Sequence, residues 1–125
     1  MPPIPAAPAK RLTEGSIQDR IRIALGEDPR VCMFRNNVGQ CVQDGRVVRY
    51  GTGGVGGSDL LGIVTMPDGV GRFCAMEVKS ATGRPSPEQI AFLDAVRRRG
   101  GFAAIVRSVE DARAAVERCC AGASE

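Results

Sequence analysis

Two runs of β-forming residues, Leu60 to Thr65 and Arg72 to Val78, flank a Met-Pro-Asp-Gly reversal, and the second run ends in Glu77-Val78-Lys79. Runs of this length around a turn read as an antiparallel pair. Residues i and i+2 of a strand share a face, so Glu77 and Lys79 project together while Val78 faces the opposite side. Pairing also carries Asp59, which stands at the mouth of the first run, to the same end of the sheet as Glu77. Met76 and Val78 occupy one face; Phe73 and Ala75 begin the other, which Glu77 continues. Charge on an apolar face needs a counter-charge or a cation. Two carboxylates with a lysine beside them suit a hard divalent cation and a phosphate group. A structural Glu–Lys ion pair is the competing reading of the same residues.

The chain has no histidine. Ser-His-Asp and Cys-His catalysis, histidine zinc sites and histidine bases are therefore excluded. Chemistry must come from carboxylates, Lys, Arg, Cys or a bound metal. The five cysteines, Cys32, Cys41, Cys74, Cys119 and Cys120, form no CxxC, and no secretory signal pattern is present. An odd count in that setting reads as reduced thiols and a cytoplasmic protein. No apolar run reaches membrane-spanning length. A net charge of +3 permits a nucleic-acid partner without requiring one.

At 125 residues the chain suits one domain, expected over 13–120, with a Pro/Ala-rich disordered tail at 1–12 and a short tail at 121–125. A helix is predicted from Glu14 to Glu27, with Ile17, Ile21, Ala24 and Leu25 on one stripe. Val31–Arg35 reads as a strand. Cys41–Tyr50 reads as a hairpin around Asp44-Gly45, the residue pair that a type I′ turn requires. Ser86-Pro87-Glu88-Gln89 is a helix start with a capping box. That helix should direct Ile90, Leu93 and Val96 inward and stop at Gly100-Gly101. Phe102–Val106 is a short apolar strand, expected parallel to the Glu77 strand, and Ser108-x-x-Asp111 opens a last helix. The order is α/β with a mixed central sheet flanked by helices.

Residues 51–56, GTGGVG, match GxGxxG literally. A dinucleotide site needs a helix directly after the glycines, whereas Leu60–Thr65 reads as strand, and no Gly-Lys-Ser/Thr follows. The run is taken as a loop, with no nucleotide cofactor. Glu14 opens the first helix, where a carboxylate also suits the dipole; it is a candidate third carboxylate. Gln89 completes the capping box and, one turn into its helix, could orient water or phosphate. Arg84, on the loop before that helix, is a candidate phosphate contact as well as an ordinary solvated arginine.

GGSDLLG, EVKS and GRPSPEQIAFLDAVRRRGGFAAIVRSVEDA together resemble the VRR-NUC branch of the PD-(D/E)xK, restriction-endonuclease-like nucleases, with TEGSIQDRI and FRNNVG resembling the family's first helix and strand. The resemblance spans about residues 13–116. It implies Mg²⁺- or Mn²⁺-dependent phosphodiester hydrolysis on an α-β-β-β-α-β core. By position it implies metal ligation by Asp59, Glu77 and the Val78 carbonyl, with Glu14 as the first-helix glutamate. Lys79 is implied to handle the attacking water and transition-state charge, with Gln89 beside it. Ser58, standing before Asp59, and Arg84 are assigned to DNA. Small stand-alone members of phage or prophage type resemble homodimeric Holliday-junction resolvases, which would place this chain in a bacterial host cytoplasm.

The expectation is a metal-dependent DNA endonuclease, selective for branched DNA and acting as a homodimer. Doubling a 125-residue domain enlarges its grip and presents two centres. Cleavage of flaps or ordinary duplex is the nearest alternative. A non-catalytic module of the same fold would be expected to have lost metal ligands.

Overall fold

The computed structural model describes residues 12–125, so the expected N-terminal tail lies, apart from Leu12, outside the described residues. The order is α1 (Glu14–Gly26), β1 (Val31–Arg35), β2 (Gly39–Gln43), β3 (Arg46–Tyr50), β4 (Leu60–Thr65), β5 (Gly71–Val78), α2 (Pro87–Arg98), β6 (Phe102–Val106) and α3 (Val109–Cys120). Four strands form one sheet in the order β1-β4-β5-β6. The β1–β4 and β4–β5 pairs are antiparallel and β5–β6 is parallel. This mixed sheet between helices is consistent with a restriction-endonuclease-like fold.

Helices α1 and α3 cover one face. Ile17, Ile21 and Leu25 of α1 and Ala112, Ala115, Val116 and Cys119 of α3 pack on Leu60, Val64, Cys74, Met76, Val78, Phe102 and Val106. Helix α2 covers the other face through Leu93, which meets Leu61, Ala75 and Ala103, with Phe92 and Val96 beside it. Burying these apolar side chains supplies the main driving force for the fold. The expected inward set of α2 needs one correction: Ile90 is 45% exposed, and Phe92 packs in its place. The helix crosses β5 and β6 so that the stripe through Gln89, Phe92, Leu93 and Val96 faces the sheet, which leaves Ile90 on the flank. Ala24 is likewise only half-buried on α1.

Local signals hold where their hydrogen-bond partners lie within a few residues. Ser86 Oγ accepts from the Gln89 backbone N–H at 3.1 Å, and Gln89 Oε1 accepts from Ser86 N–H at 2.8 Å, closing the capping box. Asp44 and Gly45 both adopt positive φ, 50° and 73°, as a type I′ turn demands. The β2–β3 hairpin forms its own two-stranded sheet, inserted between β1 and β4. The residues after α3, expected as a tail, fold back: Ala103 N–H donates to the Ser124 carbonyl at 3.0 Å, and Arg72 reaches the Ala123 carbonyl at 2.7 Å.

Gly62, inside β4, is required by close approach, because an added β-carbon would overlap the Cys32 carbonyl oxygen of β1. Gly62→Ala is expected to lower stability by about 1–3 kcal/mol through this overpacking. Urea denaturation checks this value, and a wild-type midpoint would show that β1 does not pair as described.

Candidate functional site

The β4–β5 register pairs Leu60 with Met76, which sets Asp59 beside Glu77 at the edge of the sheet. Asp59 Oδ2 accepts from the Val78 backbone N–H at 2.9 Å, so the aspartate is fastened to the strand that carries the glutamate. Lys79 N–H donates the other way, to the Val106 carbonyl of β6, at 3.1 Å. Backbone groups alternate sides along a strand, and therefore the Val78 carbonyl faces the same side as its N–H, toward Asp59.

Glu77 is 1% exposed. Its Oε1 accepts from Gln89 Nε2 at 2.9 Å and lies 3.6 Å from Lys79 Nζ. Its Oε2 is buried and has no hydrogen-bond partner among the described residues. Burial first, and the Asp59 charge next, push the Glu77 carboxyl up to about 8 from 4.5; Lys79 works in the opposite direction. Oxygens of Glu14, Asp59 and Glu77 all lie within 4.8 Å of one another. An all-oxygen donor set around an unsatisfied buried carboxylate oxygen fits a hard divalent cation. The residues present thus fit such an ion.

Gln89 serves two sites at once. Its carbonyl oxygen caps the α2 backbone while its amide nitrogen holds Glu77. Only that orientation of the amide matches donor to acceptor at both ends.

A cleft of about 460 Å³ opens in front of these groups, lined by Glu14 and Gln18 of α1, Asn36, Gln40 and Arg49 near the hairpin, the glycine run, Asp59 and Gln89. The glycine run forms its wall. An added β-carbon at Gly56, whose φ is 95°, would strike the Glu88 backbone of α2. Asn36 pins the wall: its side chain donates to the Thr52 and Ser58 carbonyls at 2.8 and 3.0 Å and accepts from Thr52 N–H at 2.9 Å. Its backbone N–H reaches the Asp59 carbonyl at 2.7 Å.

A VRR-NUC domain model matches residues 12–110. The chain belongs to the VRR-NUC family. That name places it among PD-(D/E)xK nucleases and marks it as a nuclease-type, DNA-processing domain. No curated protein and no solved structure matches. Among the described residues of this VRR-NUC domain, no helix is long and apolar enough to cross a membrane.

The structure gathers Glu14, Asp59, Glu77, Lys79 and Gln89 at one place. Two further assigned residues are not among the cluster's contacts. Ser58 is fully buried, and its hydroxyl has no partner among the described residues. Arg84 is exposed on the loop before α2. Sequence reading passed over Asn36 as a positioning residue, since nothing in an Asn-Asn pair after a strand announces partners sixteen and twenty-two residues away. It also passed over Arg107, whose guanidinium donates to the Ser80 and Gly83 carbonyls at 2.6 and 2.7 Å and ties down the loop after Lys79.

The raised Glu77 value sets a sign. Folded Glu77 keeps its proton up to about 8, whereas the unfolded carboxyl releases it near 4.5. Without metal, stability therefore falls as pH rises between those values. Glu77→Gln is expected to flatten this slope and raise metal-free stability at pH 8 by on the order of 2 kcal/mol. Thermal unfolding in chelator from pH 5 to 8 checks it.

Proposed function

We propose that this protein is a Mg²⁺- or Mn²⁺-dependent DNA endonuclease. The observation that carries the proposal is the meeting of carboxylate oxygens of Glu14, Asp59 and Glu77 within 4.8 Å, Glu77 being buried with one oxygen unpartnered among the described residues. Glu14, Asp59, Glu77 and the Val78 carbonyl would hold the ion. Bound there, a divalent cation supplies Lewis acidity toward the scissile phosphate and lowers the pKa of water.

The remaining roles belong to the chain's own groups. Gln89 fixes Glu77 through Oε1, and Oε2, which has no partner among the described residues, would be the oxygen offered to the ion. Lys79 is nearly buried and carries its ammonium beside Glu77; once that carboxylate serves a cation, the ammonium can orient the attacking water and offset charge on the phosphate. Asp59 is held by the Val78 N–H, which fixes one oxygen and leaves the other available. Arg84 is assigned to a DNA phosphate.

The preferred substrate in this reading is branched DNA such as a Holliday junction. The described residues hold one such centre, able to cut one strand, and a homodimer would present two in symmetric fashion. The working unit is taken as the domain expected over 13–120 together with the returning residues that bond to Ala103 and Arg72, in the cytoplasm, where five free cysteines are at home.

Cleavage of labelled four-way junction, flap and linear duplex, with Mg²⁺, Mn²⁺ or chelator, tests the proposal. Chelation is expected to abolish cleavage. Asp59→Asn, Glu77→Gln and Lys79→Ala are each expected to lower the rate by about a hundredfold or more. Wild-type rates in Glu77→Gln or Lys79→Ala would overturn the assignment, and equal cutting of linear duplex would remove the branched-DNA preference. Mg²⁺ is also expected to raise the thermal midpoint more at pH 8 than at pH 6, because the ion competes with the proton on Glu77.

A further inference from the structure

The β2–β3 hairpin touches the cleft at its base through Gln40 and Arg49 but supplies none of the carboxylates, and none of its residues is fully buried. Among the described residues its strands pair with each other and with no other strand. The register sets Gln40 opposite Arg49 and Val42 opposite Val47 on one face, with Cys41 opposite Val48 and Gln43 opposite Arg46 on the other. Val42 is 74% exposed and Val47 61%. A two-stranded ribbon is marginal in water on its own. This one is held by its type I′ turn and by Tyr50, whose ring lies against Gly39 where any β-carbon would collide with it.

We infer that this ribbon is a DNA-gripping arm that seats duplex against the cleft. Three observations carry the inference. First, Gln40, Arg49 and Tyr50 line the same cleft as Glu14 and Asp59, so a strand lying in the cleft runs along the base of the ribbon. Second, the charge is complementary to DNA. The segment 35–50 contains Arg35, Arg46 and Arg49 against a single acid, Asp44. No ion pair within the described residues engages any of the three arginines. An acidic cleft repels phosphate, and cations beside it must supply the attraction. Third, the shape fits. Strands of five residues extend about 17 Å, and the duplex major groove, about 12 Å wide, admits a two-stranded ribbon. The exposed Val42–Val47 pair at the outer end offers apolar surface to bases or sugars, whereas Arg46 and Arg49 meet phosphates. The occupant is DNA.

The inference rests on the nuclease reading, and one set of measurements separates the two. Anisotropy of a labelled junction and a labelled duplex with Glu77→Gln protein follows binding without cleavage, at salt from about 50 to 200 mM. Adding Arg46→Ala and Arg49→Ala together is expected to weaken binding by about tenfold or more and to reduce the salt slope by about 2. Arg20→Ala with Arg22→Ala on the exposed side of α1 serves as the charge-matched control and is expected to change the slope less. The arm contributes nothing to the core, so the thermal midpoint should stay near the parent value. Unchanged binding and slope in the Arg46/Arg49 variant would overturn the arm, even while wild-type protein cleaves DNA. Lost binding in that variant, alongside a wild-type protein that never cleaves, would uphold the arm and sink the nuclease proposal. If Val42→Ser with Val47→Ser converts a dimer to a monomer in sedimentation while DNA binding persists, a second copy occupies the ribbon and the inference fails. Wild-type protein that binds no DNA also overturns it.

Discussion

A carboxylate buried at the end of a central strand is the constraint on which the site depends. Glu77 follows Ala75 on the face covered by α2, where Leu61, Leu93 and Ala103 make the surroundings apolar. An ionised carboxylate there is strongly disfavoured unless neighbours compensate it. Gln89 and Lys79 both address Oε1, and Oε2 has no partner. That oxygen is the one a bound cation would use in the proposed site. The upward push on the Glu77 pKa expresses the same cost in proton terms.

The same constraint explains how the scaffold is tied together around the cleft. One glutamine side chain both caps α2 and orients the buried glutamate, so the start of the helix and the site cannot move independently. Asn36 links β1, the glycine run and the Asp59 backbone in one hydrogen-bond cluster. Arg107 holds the loop that follows Lys79. These contacts come from distant parts of the chain, which gives the site the rigidity that a preorganised centre needs. The β2–β3 ribbon stands outside this network, as an element meant to meet a partner would.

Much of this was legible in local chemistry. Asp44-Gly45 specified its turn because both positions need positive φ, and Ser86-Pro87-x-Gln89 specified the start of α2 because its partners lie three residues apart. The period-2 pattern of Phe73, Ala75 and Glu77 placed the glutamate on an apolar face. Ile90 misled, since helical spacing alone admits either flank of the stripe, and the crossing of α2 over β5 and β6 chose Phe92. The burial of Ser58 was likewise not legible beside Asp59, since it depends on contacts made by the fold.

By itself, the sequence determined the elements, their order, the pairing of the Asp59 and Glu77 strands and the family. The elements, their order and the pairing rest on side-chain period and on hydrogen bonds a few residues long, and the family rests on the motif resemblance. Tertiary structure decided which distant groups meet. It brought Glu14 of α1 to the end of β5, gave Gln89 its cap and its carboxylate together, buried Ser58 and left the ribbon free. Such meetings depend on how deeply and at what angle helices seat on the sheet. That is settled by the summed packing of Ile17, Ile21, Leu25 and Leu93, and no short stretch of sequence contains it.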